Sequence, residues 1–335
     1  MNDVYILAVE SSCDDTSIAI VKNGCECISL SISSQIDVHN MYGGVVPELA
    51  SRMHCENILY VLEDCLKKCN ITLKNINAIA VTYKPGLLGS LLVGLEFAKT
   101  LAFIYNKPLI GVNHLIGHIY ANNLEDKLQF PLLALVVSGG HTEISIMHDN
   151  YHFELLGSTL DDAIGESFDK VARVLGYPYP GGPSIEKAAL IGKNTYNLPR
   201  PVNDETYNFS YSGLKSQVIN IVNNAKQKNI EINKKDLACS FQTVAIDEIV
   251  RKVELALKNT NIKRLALAGG VSANKYLKDN LQILCDKYGA KLYKPSIIYC
   301  TDNAAMIGAA AYPLYLNNDF KDLTLDANSN ADLVA

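Results

Sequence analysis

His114 and His118 lie four residues apart in Asn113-His114-Leu115-Ile116-Gly117-His118. In a helix that spacing puts two imidazoles one turn apart on one face. Such a pair can hold one divalent cation once a third ligand arrives from elsewhere in the chain. It also suits two half-buried histidines that merely find hydrogen-bond partners. A metalloprotease of the HExxH type needs a glutamate directly after the first histidine as its base, and here that position is Leu115. Asp302 precedes a helix predicted over Asn303 to Leu316, where a carboxylate can serve as N-cap. It is also an oxygen ligand if that helix start faces the two histidines. His–His–Asp with open positions suits Fe(II) or Zn(II).

Further chemistry-bearing residues sit in turns. Ser138-Gly139-Gly140-His141-Thr142 follows a strand and has no side chain at two positions, which lets backbone N–H groups approach a phosphate. A tight hairpin needs glycine too. Together with Gly269-Gly270 and Gly181-Gly182, the turn favours a nucleotide, though neither a Rossmann nor a Walker pattern is present. Asn274 is placed to bond a ribose or base edge, or to cap the helix that follows it. Asp169 shares a helix face with Glu166 and reads as surface charge unless the fold aims it inward. The turn Glu10-Ser11-Ser12-Cys13-Asp14-Asp15-Thr16 is crowded with hydroxyls and carboxylates, which suit orienting water, a metal or a leaving group. Cys13 as a nucleophile lacks a histidine close in sequence.

The elements that must position these groups form a pattern written twice. Tyr5–Val9 and Ser17–Val21 read as a hairpin, and so do Leu132–Val137 and Glu143–Met147. Ile76–Val81, a Gly-containing loop and a helix over Leu91–Tyr105 form a strand-loop-helix. Arg264–Ala268, Gly269–Asn274 and a helix over Lys275–Tyr288 form another. The repeat predicts two related α/β halves, residues 1–129 and 130–335, facing each other across a cleft. The second half carries a mostly helical insertion at about 160–257. Within it Leu160–Leu175, Ser184–Ile191 and Leu237–Leu257 read as helices, Gly176 as a stop, and Tyr177–Pro183 as a rigid loop held by three prolines. The stretch from Asn220 to Lys235 is rich in Asn and Lys and reads as solvated. The last helix is free to pack back on the first half, and the polar tail from Asn317 is expected to fray.

The chain has 335 residues, 48% apolar and 19% charged, which suits a well-cored soluble protein. Nine cysteines, without paired zinc-site spacing, fit reduced thiols in the cytoplasm. Met1-Asn2-Asp3-Val4 has no basic region, so no signal peptide is expected. Leu87–Tyr105 carries Glu96 and Lys99 and reads as a buried helix, with no membrane implied. A net charge of −5 is opposite to that of a protein that grips nucleic acid alone.

The ordered motifs resemble the tRNA threonylcarbamoyladenosine transferase (TsaD) family of bacterial type, formerly described as O-sialoglycoprotein endopeptidase. The resemblance runs from Val4 to Ala311. It covers the Glu10–Thr16 turn, Gly43–Arg52, Pro85-Gly86-Leu87, Asn113–His118 and Val137–Thr142. It continues through Phe168-Asp169-Lys170, Tyr179–Pro183, Phe209–Lys215, Gly269–Asn274 and Thr301–Ala305. It implies an actin-like ATPase fold, shared with Hsp70 and sugar kinases, and one metal, usually iron, on His114, His118 and Asp302. It implies an adenylate at Val136, Val137, Ser138, Gly139, Gly140, Asp169, Gly182, Glu186 and Asn274. Glu186 stands where many bacterial members carry Asp. Val136 stands where archaeal members carry a metal-binding Tyr, so three side chains plus substrate or water should hold the metal here. The implied reaction moves a threonylcarbamoyl group from threonylcarbamoyl-AMP to the exocyclic amine of the adenosine 3′ of the anticodon. The implied tRNAs read codons that begin with A. The implied partners are a TsaB-like silent paralogue and a TsaE-like small ATPase. Asp14 is the candidate proton acceptor, beside the leaving phosphate itself. The competing readings are a glycoprotein-cleaving metalloprotease and a non-catalytic nucleotide-binding regulator.

Overall fold

The computed structural model describes residues 3–200, 204–330 and 333. Two compact units emerge, Met1–Leu128 with Pro295–Ala335, and Gln129–Lys294.

In the first unit β1 (Tyr5–Glu10), β2 (Asp15–Lys22) and β3 (Glu26–Ser34) form an antiparallel meander, followed by α1 (Ile36–Asn40) and α2 (Pro47–Lys67). Next come β4 (Ala78–Lys84), α3 (Leu88–Tyr105), β5 (Leu109–Asn113) and α4 (His114–Tyr120). The second unit holds β6 (Leu132–Val137), β7 (Thr142–Asp149), β8 (His152–Ser158), α5 (Ile164–Leu175), α6 (Gly181–Ala189) and α7 (Ser212–Gln227). It continues with α8 (Lys234–Thr260), β9 (Arg264–Ala268), α9 (Lys275–Tyr288) and β10 (Lys291–Tyr293). α10 (Ile297–Cys300) and α11 (Ala304–Leu316) return to the first unit.

The two sheets have one topology. The first runs β3-β2-β1-β4-β5 and the second β8-β7-β6-β9-β10. In each, the hairpin strand β1 or β6 pairs in parallel with the strand that feeds a loop and helix. The apolar faces of β1 and β2 pack on α2 and α3 through Leu7, Val9, Ile18, Ile20, Ile58 and Leu95. α11 lies against β1 and β2 through small residues. A Cβ at Gly308 would sit 2.6 Å from the Val21 methyl, so only glycine lets the helix approach this closely. The helices of the second unit enclose Phe168, Phe209, Tyr211 and Phe241 against β6, β7 and β9. α3 buries Leu91, Leu95 and Ala98, while Leu92, Phe103 and Ile104 remain exposed. It is long and apolar enough to cross a membrane by length and composition alone.

Two local expectations need correction, and a third gains a helix. Tyr177–Pro183 is not loop throughout, because α6 starts at Gly181 with Pro183 in its first turn, where a missing N–H costs nothing. The Asn/Lys-rich stretch is solvated as expected except at Val222 and Ala225, and its first half is the end of α7. The tail does not fray over its described part. Lys321 N–H donates to the Leu109 carbonyl, Asn328 N–H to that of Tyr83, and Leu325 packs on the core.

Candidate active site

β5 ends at Asn113, whose side-chain oxygen accepts from Leu115 N–H at 2.8 Å and starts α4 as its N-cap. His114 and His118 thereby share one face. Asp302 is not the cap of α11. Asn303 takes that role, accepting from Met306 N–H at 3.0 Å, and so releases the neighbouring carboxylate. Oδ1 of Asp302 lies 3.4 Å from Nε2 of His114 and 3.3 Å from Nε2 of His118. One ligand atom from each residue falls within 4.8 Å of the others. These separations are long for hydrogen bonds. They suit atoms that surround a cation at about 2.0–2.2 Å.

The outer shell orders His114. Glu10 is fully buried, and its Oε2 lies 3.1 Å from Nδ1 of His114. Thr82 Oγ donates to the same oxygen at 2.5 Å, and Ser12 N–H to Oε1 at 2.6 Å. A carboxylate behind Nδ1 holds the proton there and turns the Nε2 lone pair toward the cation site. Of the acids in the Glu10–Asp15 turn, Glu10 is the one whose carboxylate stands behind a histidine of the cluster, and its place at the end of a buried strand is the sequence signal that marks it out.

Charge fits a dication. Burial alone would lower the His114 imidazole, but the charges of Asp302 and Glu10 hold it well above the ordinary histidine range. Burial keeps His118 low, despite the carboxylate of Asp302 beside it. Burial opposes ionisation of Glu10 and Asp302 too, yet His114 keeps both below the usual carboxylate range. The cluster thus carries two negative charges and one proton on His114, and a dication replacing that proton brings it to neutrality. His118 Nδ1 is buried with no hydrogen-bond partner among the described residues. The donor set fits one divalent metal held by His114, His118 and Asp302.

Two predictions arise here. Metal loading near neutral pH should release about one proton, from His114. Affinity should therefore fall as pH drops below the raised pKa of that group; calorimetry in buffers of different ionisation enthalpy measures both. Glu10→Gln should leave the fold intact and weaken metal retention by about 10–100-fold, read by chelator titration.

The Glu10–Asp15 turn is fixed from outside. The carbonyls of Ser12, Cys13 and Asp14 accept from Leu87 N–H, His54 Nε2 and Gln35 N–H at 2.8, 2.9 and 3.1 Å. His54 is itself fully buried, with Thr16 Oγ 2.7 Å from its Nδ1. Burial pushes Asp14 upward and the charge of Asp302 adds to it. Burial also takes Asp15 up to about 7. The Cys13 thiol is pushed well up by burial and its acidic neighbours, which removes it as a nucleophile.

The nucleotide candidates cluster in the second unit. β6 pairs in parallel with β9, so Ser138–His141 and Gly269–Ala273 leave the same end of the sheet. Val136 and Val137 are fully buried strand residues, which leaves only their backbone for a ligand. Ser138 Oγ accepts from His141 N–H, and the Ser138 carbonyl from Gly165 N–H at the start of α5. A Cβ at Gly139, Gly140, Gly182 or Gly270 would meet nothing within 4 Å, so these glycines border open space. Gly269 differs, with φ +89° and a Cβ position 2.4 Å from the Val137 carbonyl oxygen. Asp169 Oδ1 accepts from Gly181 N–H at 2.6 Å, which ties α5 to the start of α6. Glu186 Oε1 accepts from Lys275 N–H at 2.6 Å, which ties α6 to α9. Asn274 caps α9 through Leu277 N–H and donates to Gln242 Oε1 at 2.9 Å. Asp161 accepts from the Ser210 and Ser212 hydroxyls and from the N–H groups of Tyr211 and Ser212, so it holds the Phe209–Lys215 motif in place.

The model of the family described as TsaD, tRNA N6-adenosine threonylcarbamoyltransferase, matches residues 26–309. The chain belongs to this family. A Staphylococcus haemolyticus protein of that name is 51% identical over 332 residues, 99% of this chain and 97% of the relative. One from Staphylococcus aureus is 49% identical over the same shares. In structure the chain is similar to T. kodakarensis HypF, with TM-score 0.64, 15% identity, and 96% and 49% of the two chains covered. The fold is of the actin-like ATPase type. As a member of the tRNA N6-adenosine threonylcarbamoyltransferase family the chain is a transferase, an enzyme of threonylcarbamoyladenosine formation in tRNA. The protease reading is not favoured, and Leu115, where its base would stand, is fully buried. The regulator reading is not favoured either, since the chain keeps His114, His118 and Asp302 together.

Proposed function

We propose that the chain transfers the threonylcarbamoyl group from threonylcarbamoyl-AMP to N6 of the adenosine 3′ of the anticodon, in tRNAs reading codons that begin with A. The observation that carries this reading is the His114/His118/Asp302 cluster, backed by Glu10, in a member of this family. We assign the metal as Fe(II), because two histidines and one carboxylate with open positions are the donor set that iron favours, with Zn(II) the alternative. When bound, a dication there supplies Lewis-acid polarisation of the donor's carbonyl.

The donor is a mixed anhydride, so the chain needs no nucleophile of its own. The adenosine amine attacks the carbamoyl carbon, the bond to the phosphate oxygen breaks, and AMP leaves with the electron pair. Gly139 and Gly140 N–H groups make no hydrogen bond within the described residues and can meet the phosphate charge as it develops. Gly182, in the first turn of α6, offers a second approach to the adenylate. Asp169, Glu186 and Asn274 hold the surrounding helix starts in place. Asp14, its pKa raised by burial and then by the charge of Asp302, accepts the proton the amine loses.

The partners in this reading are a TsaB-like paralogue and a TsaE-like small ATPase. Leu59, Tyr60, Phe103 and Ile104, exposed on α2 and α3, are surface of the kind that protein partners cover. The compartment is the cytoplasm, where nine free thiols stay reduced. The test incubates the purified chain with both partners, ATP, threonine, bicarbonate and unmodified tRNA, then analyses nucleosides by mass spectrometry. Threonylcarbamoyladenosine at the expected position is the predicted product; unmodified tRNA, where a homologous system succeeds, contradicts the proposal.

A further inference from the structure

A groove of about 1050 Å³ opens in the second unit between the C-terminal ends of α5 and α7 and the start of α8. Arg173, Tyr177, Lys226, Lys234 and Lys235 line it, with Glu231 its one acid. We propose that this groove holds the ribose-phosphate backbone of the tRNA substrate; the inference rests on the transferase reading above.

Charge points to a polyanion. Among the residues that line it, Arg173, Lys226, Lys234 and Lys235 stand against Glu231 alone, a net +3 in a chain of −5. Lys226, Lys234 and Lys235 are exposed and form no ion pair among the described residues. The nearby Asp236 is turned to other donors, accepting from Lys193 N–H at 2.8 Å and facing the Thr195 hydroxyl. Lys234 and Lys235 occupy the first two positions of α8, where the helix dipole already presents positive charge. Two cations there work against helix stability, and an anion in the groove answers both them and the helix start. The Lys234 side chain reaches over Gly176, the C-cap of α5, with Nζ 3.5 Å from where a Cβ would stand, which sets its charge at the wall of the groove. Tyr177, half-buried at the same wall, offers a ring face for a base.

Position favours the substrate over any other polyanion. α5 begins at the Ser138 turn, through Gly165 N–H on the Ser138 carbonyl, and ends at the groove. Its 12 residues span about 18 Å. A few nucleotides of RNA cover that distance, so a strand whose reactive adenosine lies at the glycine turns reaches these lysines.

The test combines Lys226→Ala, Lys234→Ala and Lys235→Ala in the full chain with its partners. It measures unmodified tRNA affinity against salt, and turnover at saturating tRNA. Affinity should fall about tenfold or more near physiological salt, with the log–log salt slope shallower by about two to three. Turnover at saturating tRNA should stay within about twofold, because no residue at the glycine turns or the metal cluster has changed. A control replacing the exposed Lys127, Lys228 and Lys263 by Ala removes the same charge outside the groove and should leave affinity nearly unchanged. Wild-type affinity and slope in the groove variant overturn the proposal. So does an equal loss in the control, or a loss confined to a partner protein's binding. If the wild-type chain modifies no tRNA, the transferase reading falls and takes the groove with it; a wild type that works beside an unaffected variant sinks the groove alone.

Discussion

Asp302→Ala should empty the metal site and lower turnover on the order of 10³-fold. Loss of an outer hydrogen-bond partner already costs about 10–100-fold in metal affinity or activity, and Asp302 supplies the one anionic donor in direct reach. Its Oδ1 faces both Nε2 atoms, so removing it leaves two neutral nitrogens whose remaining anion, Glu10, stands behind His114. Folding should change little. α11 keeps its cap, because Asn303 makes that bond, and Ala304 N–H stays on Ser17 Oγ. The His114 imidazole, raised by Asp302 and Glu10, should drop toward its ordinary value once one of those charges is gone. Metal content by mass spectrometry and nucleoside yield per enzyme give the two readouts. Asp302→Asn, which keeps volume and loses charge, should behave alike.

Gly140 and Gly269 should part ways completely. Gly140→Val meets open space at a φ that any residue adopts, so the melting temperature should hold while adenylate affinity falls about 100-fold, as the added bulk occupies the phosphate approach. Gly269→Ala places a methyl 2.4 Å from the Val137 carbonyl at φ +89°. It should destabilise the second unit by about 2–4 kcal/mol. Calorimetric unfolding and nucleotide titration of the two variants separate a glycine kept for the ligand from one kept for the backbone.

The twofold plan was legible in the chain because alternation and glycine turns are local signals, and both sheets carry them at matching places. The His114/His118 pair was legible for the same reason, since its spacing is a property of one helix. Which acid of the Glu10–Asp15 turn reaches the cluster was not, because that depends on β1 and β5 bringing residues 104 positions apart within 3.1 Å. Asp302 as the expected cap shows the limit from the other side. Asp and Asn are both good caps, and only the path of the chain decides that Asn303 takes the role and leaves the carboxylate free. α2 went unread because its buried face mixes Ile58, Val61 and Leu62 with the polar His54, which blurs the periodicity. The Asn/Lys-rich stretch is solvated as its composition suggests, while the helix that runs into it is seated by Leu214, Val218, Val222 and Ala225, too few apolar positions among polar ones to show a period. The tail shows that backbone hydrogen bonds and one leucine can fix a polar segment that composition alone assigns to solvent.

Anomalous diffraction from crystals of the iron-loaded chain, with data on both sides of the absorption edge, tests the metal assignment most directly. The expected result is one peak per chain at about 2.0–2.2 Å from Nε2 of His114, Nε2 of His118 and a carboxylate oxygen of Asp302. A peak on other residues, or none in a preparation that still modifies tRNA, contradicts it.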